Sequence, residues 1–199
     1  MKVRIFVDFW NFQLSVKDNA SEEYRLDWGK LSPLLVAKAS NLIEQPLTFE
    51  ETRVYMSFDP HKSSDKNLRG WAVNVLDRFT GVHVTMLERK PKHPPICQQC
   101  HTPIAICPHC GSNISGTIEK GVDTAIVTDL MGLAWEGAWD VAVLVTSDRD
   151  FIPAVEKLAI KGYRVINAYF PPQGMNLARV CWASIDLKMC LTELQRSEV

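Results

Sequence analysis

Two nucleotide-binding signatures are missing from this chain: neither GxxxxGK[ST] nor GxGxxG occurs in its 199 residues. That removes the glycine loop with which an ATPase or a dinucleotide-dependent dehydrogenase cradles phosphates. No apolar run is long enough to cross a bilayer. The apolar stretch at residues 3–7 is too short for a secretory signal and ends in Asp8. A soluble, cytoplasmic protein is the expectation. Charge of one sign is lacking too, since 22 Lys and Arg stand against 23 Asp and Glu, a net of -1. Nothing in that balance demands a polyanionic partner. A site that holds metal must itself be acidic, however, so local charge is the better guide. Cysteine is scarce outside one window. Four of the six fall between 97 and 110, a clustering that points to metal and away from a disulfide framework. Cys181 and Cys190 stand in apolar surroundings and read as buried fillers.

What is present alternates between strand and helix patterns. Residues 3–7 read as a buried strand and 28–42 as a helix despite Pro33. Residues 52–58 read as a strand, 70–79 as a helix and 82–87 as a third strand. After an interruption, 122–135 is helical, 140–146 a buried strand, 152–160 a helix and 163–169 a strand. Leu177, Ile185 and the run 187–194 finish the chain less regularly. The segment 62–66, with Ser63 and Ser64, reads as a loop that either touches phosphate or simply turns. No internal repeat stands out. Strands alternating with helices predict an α/β fold with a mostly parallel sheet and helices on both faces. The interruption, residues 89–120, holds seven prolines and glycines and all four clustered cysteines. It predicts an inserted module at 89–116, with the main domain formed by 1–88 and 117–199.

In a parallel α/β sheet, ligands bind beyond the carboxyl ends of the strands. Asp8 ends the first strand, and Asp148 and Asp150 follow the strand at 140–146, so these acids belong on one sheet edge. Asp123 opens a helix on the stripe that carries Ile126, Val127, Leu130 and Met131, which aims it at the core. Each acid alone also fits a helix-capping role. Capping does not explain why they share an edge. Converging carboxylates repel one another, and a hard divalent cation resolves that repulsion.

The residues around these acids resemble a known family. Phe6-Val7-Asp8-Phe9-Trp10-Asn11 is similar to the opening motif of NYN domains, a branch of the PIN-like nuclease superfamily. Lys120-Gly121-Val122-Asp123, leading into a helix with Asp129-Leu130, resembles the second acidic motif. Val145-Thr146-Ser147-Asp148-Arg149-Asp150-Phe151 resembles the third. The resemblance implies a PIN-like domain in which Asp8, Asp123 and Asp148 bind Mg²⁺ or Mn²⁺. It further implies that Asn11 orients Asp8 or a substrate phosphate and that Asp150 supports the site. For Asp129, whose helical angle sets it away from Asp123, a surface acid is the competing reading. Where many relatives have Gly-Asp-Ser-Asp, this chain has Ser147-Asp148-Arg149-Asp150, which sets a cation beside the acids. The implied activity is RNA cleavage, and a homodimer is the implied assembly.

Within the insert, Cys97-Gln98-Gln99-Cys100 and Cys107-Pro108-His109-Cys110 are two CxxC pairs separated by six residues. Each CxxC turn presents two thiolates to one metal, and two turns complete a tetrahedral site. The expectation is a structural Zn²⁺ held by Cys97, Cys100, Cys107 and Cys110, with a redox pair as the alternative. Arg89, Lys90 and Lys92 lead into this module and are candidates for gripping a nucleic-acid backbone, or else form a solvated stem. Trp10, beside Asp8 and Asn11, is the best placed of six tryptophans to stack on a base.

The leading expectation is a metal-dependent endoribonuclease. The alternative is a catalytically weak PIN-like module that binds RNA or a protein. A phosphotransfer enzyme with Asp8 as nucleophile ranks last, because the second acid such enzymes carry two residues on is replaced by Trp10.

Overall fold

Val3, Ile5 and Val7 alternate with Arg4, Phe6 and Asp8 along strand β1 (Lys2–Asp8). A strand sends alternate side chains to opposite faces, so these two sets enter different layers. The computed structural model describes residues 1–114 and 116–197. From β1 the chain passes directly into α1 (Phe9–Asn19), then α2 (Trp28–Ile43) and β2 (Thr48–Phe58). α3 (Ser63–Asn74) and a single 3-10 turn lead to β3 (Val82–Glu88). A two-stranded stem follows, β4 (Lys90–Pro91) with β5 (Thr117–Ile118), and then α4 (Val122–Trp135) and β6 (Val141–Val145). α5 (Ile152–Ile160), β7 (Arg164–Tyr169), α6 (Met175–Val180), β8 (Ala183–Asp186) and α7 (Leu191–Leu194) complete it. Among the described residues, no helix is long and apolar enough to cross a membrane.

Six strands form one sheet in the order β3-β2-β1-β6-β7-β8, and every neighbouring pair is parallel. The expected α/β architecture is therefore the observed one. The chain builds outward from β1 to β3, returns to the other side of β1 as β6, and builds outward again. That reversal leaves a crevice at the carboxyl ends of β1 and β6, where ligands bind in open sheets of this kind.

Each face of the sheet has its own core. Val3, Ile5 and Val7 pack with Phe9 and Phe12 of α1 and Leu31 and Leu35 of α2. Phe6, Tyr55 and Leu144 pack with Ile126 and Leu130 of α4 and Val155 of α5 on the other face. Each such side chain, fully buried, stabilises the fold by roughly 1.5–3 kcal/mol. Asp8 has the parity of Phe6, so its carboxyl group lies on the α4 face.

Several sequence expectations need correcting. α1 begins immediately after Asp8, in a stretch with no predicted element. β2 starts four residues before the expected 52. The helix expected at 70–79 lies at Ser63–Asn74, so residues 63–66 are its first turn and not a loop. Val75, inside the expected helix, is instead the residue that ends it, and it is exposed. A sixth strand, β8, appears where only an isolated Ile185 stood out.

The insert also contains a repeat. Residues 96–104, ICQQCHTPI, and 106–114, ICPHCGSNI, adopt the same turn ten positions apart. His101 and Gly111 both have positive φ. Their N–H groups donate to the carbonyls of Cys97 and Cys107, each at 2.9 Å. Bridges Ile96–Pro103 and Ile106–Asn113 close the two turns alike. The two segments match at Ile96/Ile106, Cys97/Cys107, Cys100/Cys110, Thr102/Ser112 and Ile104/Ile114, an irregular spacing that hides the repeat from simple periodicity.

Candidate active site

Register decides what surrounds Asp8. Val7 pairs with Val145, so the next residue on each strand, Asp8 and Thr146, lie side by side past the last rung. Thr146 Oγ1 donates to Asp8 Oδ2 at 3.1 Å. The Asn11 N–H donates to Asp8 Oδ1 at 3.3 Å, which makes Asp8 the N-cap of α1. Asp8 thus ends a strand and starts a helix at one position. Cap residues are ordinarily solvated, yet Asp8 is only 5% exposed. Burial is the main cause that lifts its carboxyl from 3.8 to about 7. The Asn11 and Thr146 hydrogen bonds oppose that rise, and the charges of Asp123 and Glu119 add to it.

The loop after β6 is held from three sides. Asn167, fully buried on β7, donates through Nδ2 to the carbonyls of Leu144 at 3.0 Å and Thr146 at 2.9 Å. The Ser147 N–H donates to Asn11 Oδ1 at 2.7 Å. The Asp148 N–H donates to Thr146 Oγ1 at 3.2 Å, and Asp148 Oδ1 accepts from the Asp150 N–H at 2.9 Å. Gly174 approaches from beyond β7 with φ of 81°, and a Cβ there would lie 2.9 Å from Ser147 Cα. Only glycine satisfies both that backbone angle and that contact. Asn11 therefore fixes the third acidic segment with its side chain, while its backbone is what reaches Asp8.

Asp123 departs from its expected orientation. It is exposed, and Val122, Ile126, Leu130 and Ala134 form the buried stripe of α4. The reason is position along the helix. Helical side chains lean toward the N-terminus. In the first turn of α4 that carries the carboxylate past the end of the sheet and toward the other acids. Partial burial raises its pKa, and the charges of Asp148, Glu119 and Asp150 raise it further. Gly121, with no side chain, caps this helix, so Asp123 is spare for other work.

Glu119 joins the acids without having been singled out in the sequence. It lies in the short link between β5 and α4, four residues before Asp123, where no periodicity marks it. Its carboxylate is hydrogen-bonded by the Ser57 hydroxyl and stands 3.9 Å from Arg89. Arg89 also donates to Ser57 Oγ at 3.0 Å and lies 5.3 Å from the centre of the Trp10 ring. Trp10 donates its indole N–H to the Ser57 carbonyl at 2.8 Å. Trp10 and Arg89 are thus at the mouth, engaged with one another. Lys90 and Lys92 lie on the exposed stem with no partner among the described residues. Asp129 sits apart, accepting from Arg53 and from the Tyr55 hydroxyl, each at 2.7 Å. It ties α4 to β2.

Asp8, Asp123, Asp148, Asp150 and Glu119 therefore share one edge, where the charges of Asp123 and Glu119 act on Asp8 and those of Asp148, Glu119 and Asp150 act on Asp123. Among the described residues, no three His, Cys, Asp or Glu side chains are gathered into a ready metal cage, at the acids or at the cysteines. An all-oxygen donor set of this spread still fits Mg²⁺, which keeps several waters and takes only one or two carboxylates. On the insert, the Cys100 and Cys110 thiols donate to Thr102 Oγ1 and Ser112 Oγ, each at 3.3 Å, and the hydrogen bonding around them lowers both thiols to about 7.

Comparison with known proteins gives one family. The family model described as NYN domain matches residues 2–188. The fold resembles a crystal structure of a protein of unknown function from Vibrio parahaemolyticus, with a TM-score of 0.54 at 16% identity over 94% of each chain. No curated protein matches the sequence.

Proposed function

The chain belongs to the NYN domain family, a branch of the PIN-like nuclease superfamily, and from that premise we propose that it is a divalent-metal-dependent endoribonuclease. The observation that carries the reading is Asp8. A carboxyl group buried at the switch point of the sheet, with four further acids raising the local negative potential, is costly for the metal-free fold. A cation returns that cost. Asp8, Asp123 and Asp148 would hold Mg²⁺ or Mn²⁺, with Asp150 and Glu119 beside them. The bound ion supplies Lewis acidity toward a phosphate oxygen and lowers the pKa of attacking water. The chain's own residues do the rest. Asn11 and Thr146 hold the acids in place, and Trp10 offers an aromatic face at the mouth.

The insert at 89–116 fits a structural zinc module. Two like turns each present a CxxC pair whose outer thiol is lowered to about 7 by its hydrogen bonds. Thiolates are the soft ligands zinc prefers. Zinc binding requires the two turns to close on one another, which couples the metal to the folding of the module.

The test of the nuclease reading uses the purified full chain with mixed single-stranded and structured RNA. Cleavage is expected with Mn²⁺ or Mg²⁺ and none with chelator. RNA left intact under every metal condition would overturn it.

A further inference from the structure

Beside Asp148 lies an open cleft of about 500 Å³, inside the roughly 300–1,000 Å³ range of small-molecule sites. Its polar walls include Arg149, Arg179, Gln173 and Asn176, and Ser147 and Asp148 form the side nearest the acids. Both arginines are exposed, and among the described residues neither forms an ion pair or donates a side-chain hydrogen bond. An arginine next to several carboxylates that pairs with none of them is free to bind an anion. Its planar fork matches a phosphate.

The topology says which anion. On the β2 side of the acids stands Arg89 over Trp10, and on the β7 side stands the Arg149 and Arg179 cleft. From β2 through β1 and β6 to β7 there are three strand spacings, roughly 14 Å. A chain of phosphates laid across the strand ends would meet cation, acids and cation in that order. Pocket walls shaped by Gly174 against Ser147 fix the cleft to the same loop that carries Asp148.

We propose that the Arg149 and Arg179 cleft binds the nucleotide flanking the scissile bond, with its phosphate on the two guanidinium groups. This rests on the ribonuclease reading for its substrate but makes its own demand on binding. The experiment compares the full chain with R149Q, R179Q and the double variant. Affinity for a labelled single-stranded RNA is measured in chelator across a salt series, and cleavage is measured separately with Mn²⁺. Each single variant should weaken binding by about fivefold to tenfold, and the double variant should lose roughly 0.7 of a unit of salt slope, the share of one phosphate on a single strand. KM should rise much more than kcat falls, because neither arginine is an acid of the metal site. Both side chains are exposed, so melting temperatures should hold.

The outcomes separate. Wild-type cleavage with unchanged affinity and slope in the double variant sinks the cleft and spares the nuclease. Arginine-dependent RNA binding with no cleavage under any metal sinks the nuclease and spares the cleft. A wild-type chain that neither binds nor cuts RNA overturns both.

Discussion

Asp8 carries two demands that conflict. As an N-cap it accepts hydrogen bonds best when ionised, yet its burial disfavours the charge and raises its pKa from 3.8 to about 7. A carboxyl raised on folding gives its full stability below the unfolded value, near 4, and loses it as the pH rises through the folded value. For Asp8 the loss falls between about pH 4 and pH 7 and amounts to up to about 4 kcal/mol. In chelator, Asp8→Asn should therefore melt above wild type at pH 8, with the advantage shrinking toward pH 4. Added Mn²⁺ should raise the wild-type melting temperature and leave the variant's unchanged. A lower-melting variant at pH 8 would contradict the burial argument. Asp129 makes the opposite case. It holds Arg53 and Tyr55, so Asp129→Asn should cost about 1–2 kcal/mol of stability. RNA turnover per folded molecule should persist. Loss of turnover without loss of stability would place Asp129 in the chemistry. Asp8, Asp148 and Asp150 were legible in the sequence because a strand end is a fixed place in a parallel sheet. Glu119 was not, because it stands in a link whose path depends on the hydrogen bond it accepts from Ser57 and the one Thr117 donates to Asp59.

At the scale of elements, α4 shows why a helical wheel is incomplete. The wheel places Asp123 with Val127 and Met131 on the core-facing stripe, but the buried line runs through Val122, Ile126, Leu130 and Ala134 and leaves those two half-buried. The wheel does not know where the sheet stops, and one turn at the helix start lies beyond it. α1 went unseen for a related reason, since no spacer separates it from β1 and one residue serves as strand end and cap. β6 and β7 were legible because buried parallel strands read as unbroken apolar runs. The short β8 carries too few residues for such a signal. The two turns of the insert lead to a symmetric prediction. Purified protein should carry one zinc per chain. Cys100→Ser and Cys110→Ser should release it to the same extent, since the two thiols have equivalent surroundings in the repeat. Each variant should lower stability of the insert while the main transition of the sheet domain stays within a few degrees. Metal analysis finding no zinc in wild type would remove the module's metal role, and unequal release would remove the equivalence.

For the molecule as a whole, a net charge of -1 conceals a sorted surface. Acids crowd the carboxyl ends of β1 and β6, and arginines stand on both sides of them. Overall charge balance could not reveal this arrangement, because strand order and not sequence distance sets it: Arg89, Asp123, Arg149 and Arg179 are far apart in the chain. The proposed function depends on the acids at this switch point performing metal-dependent cleavage of RNA. Its most direct test is the Mn²⁺-dependent cleavage rate of wild type beside Asp123→Asn and Asp148→Asn, with RNA affinity measured for all three in chelator. Both acids sit at the surface edge of the fold, so both variants should remain folded and bind RNA at least as well as wild type, having lost a repelling charge. Cleavage should disappear in both variants while binding remains. Undiminished cleavage in Asp148→Asn would contradict the proposed function.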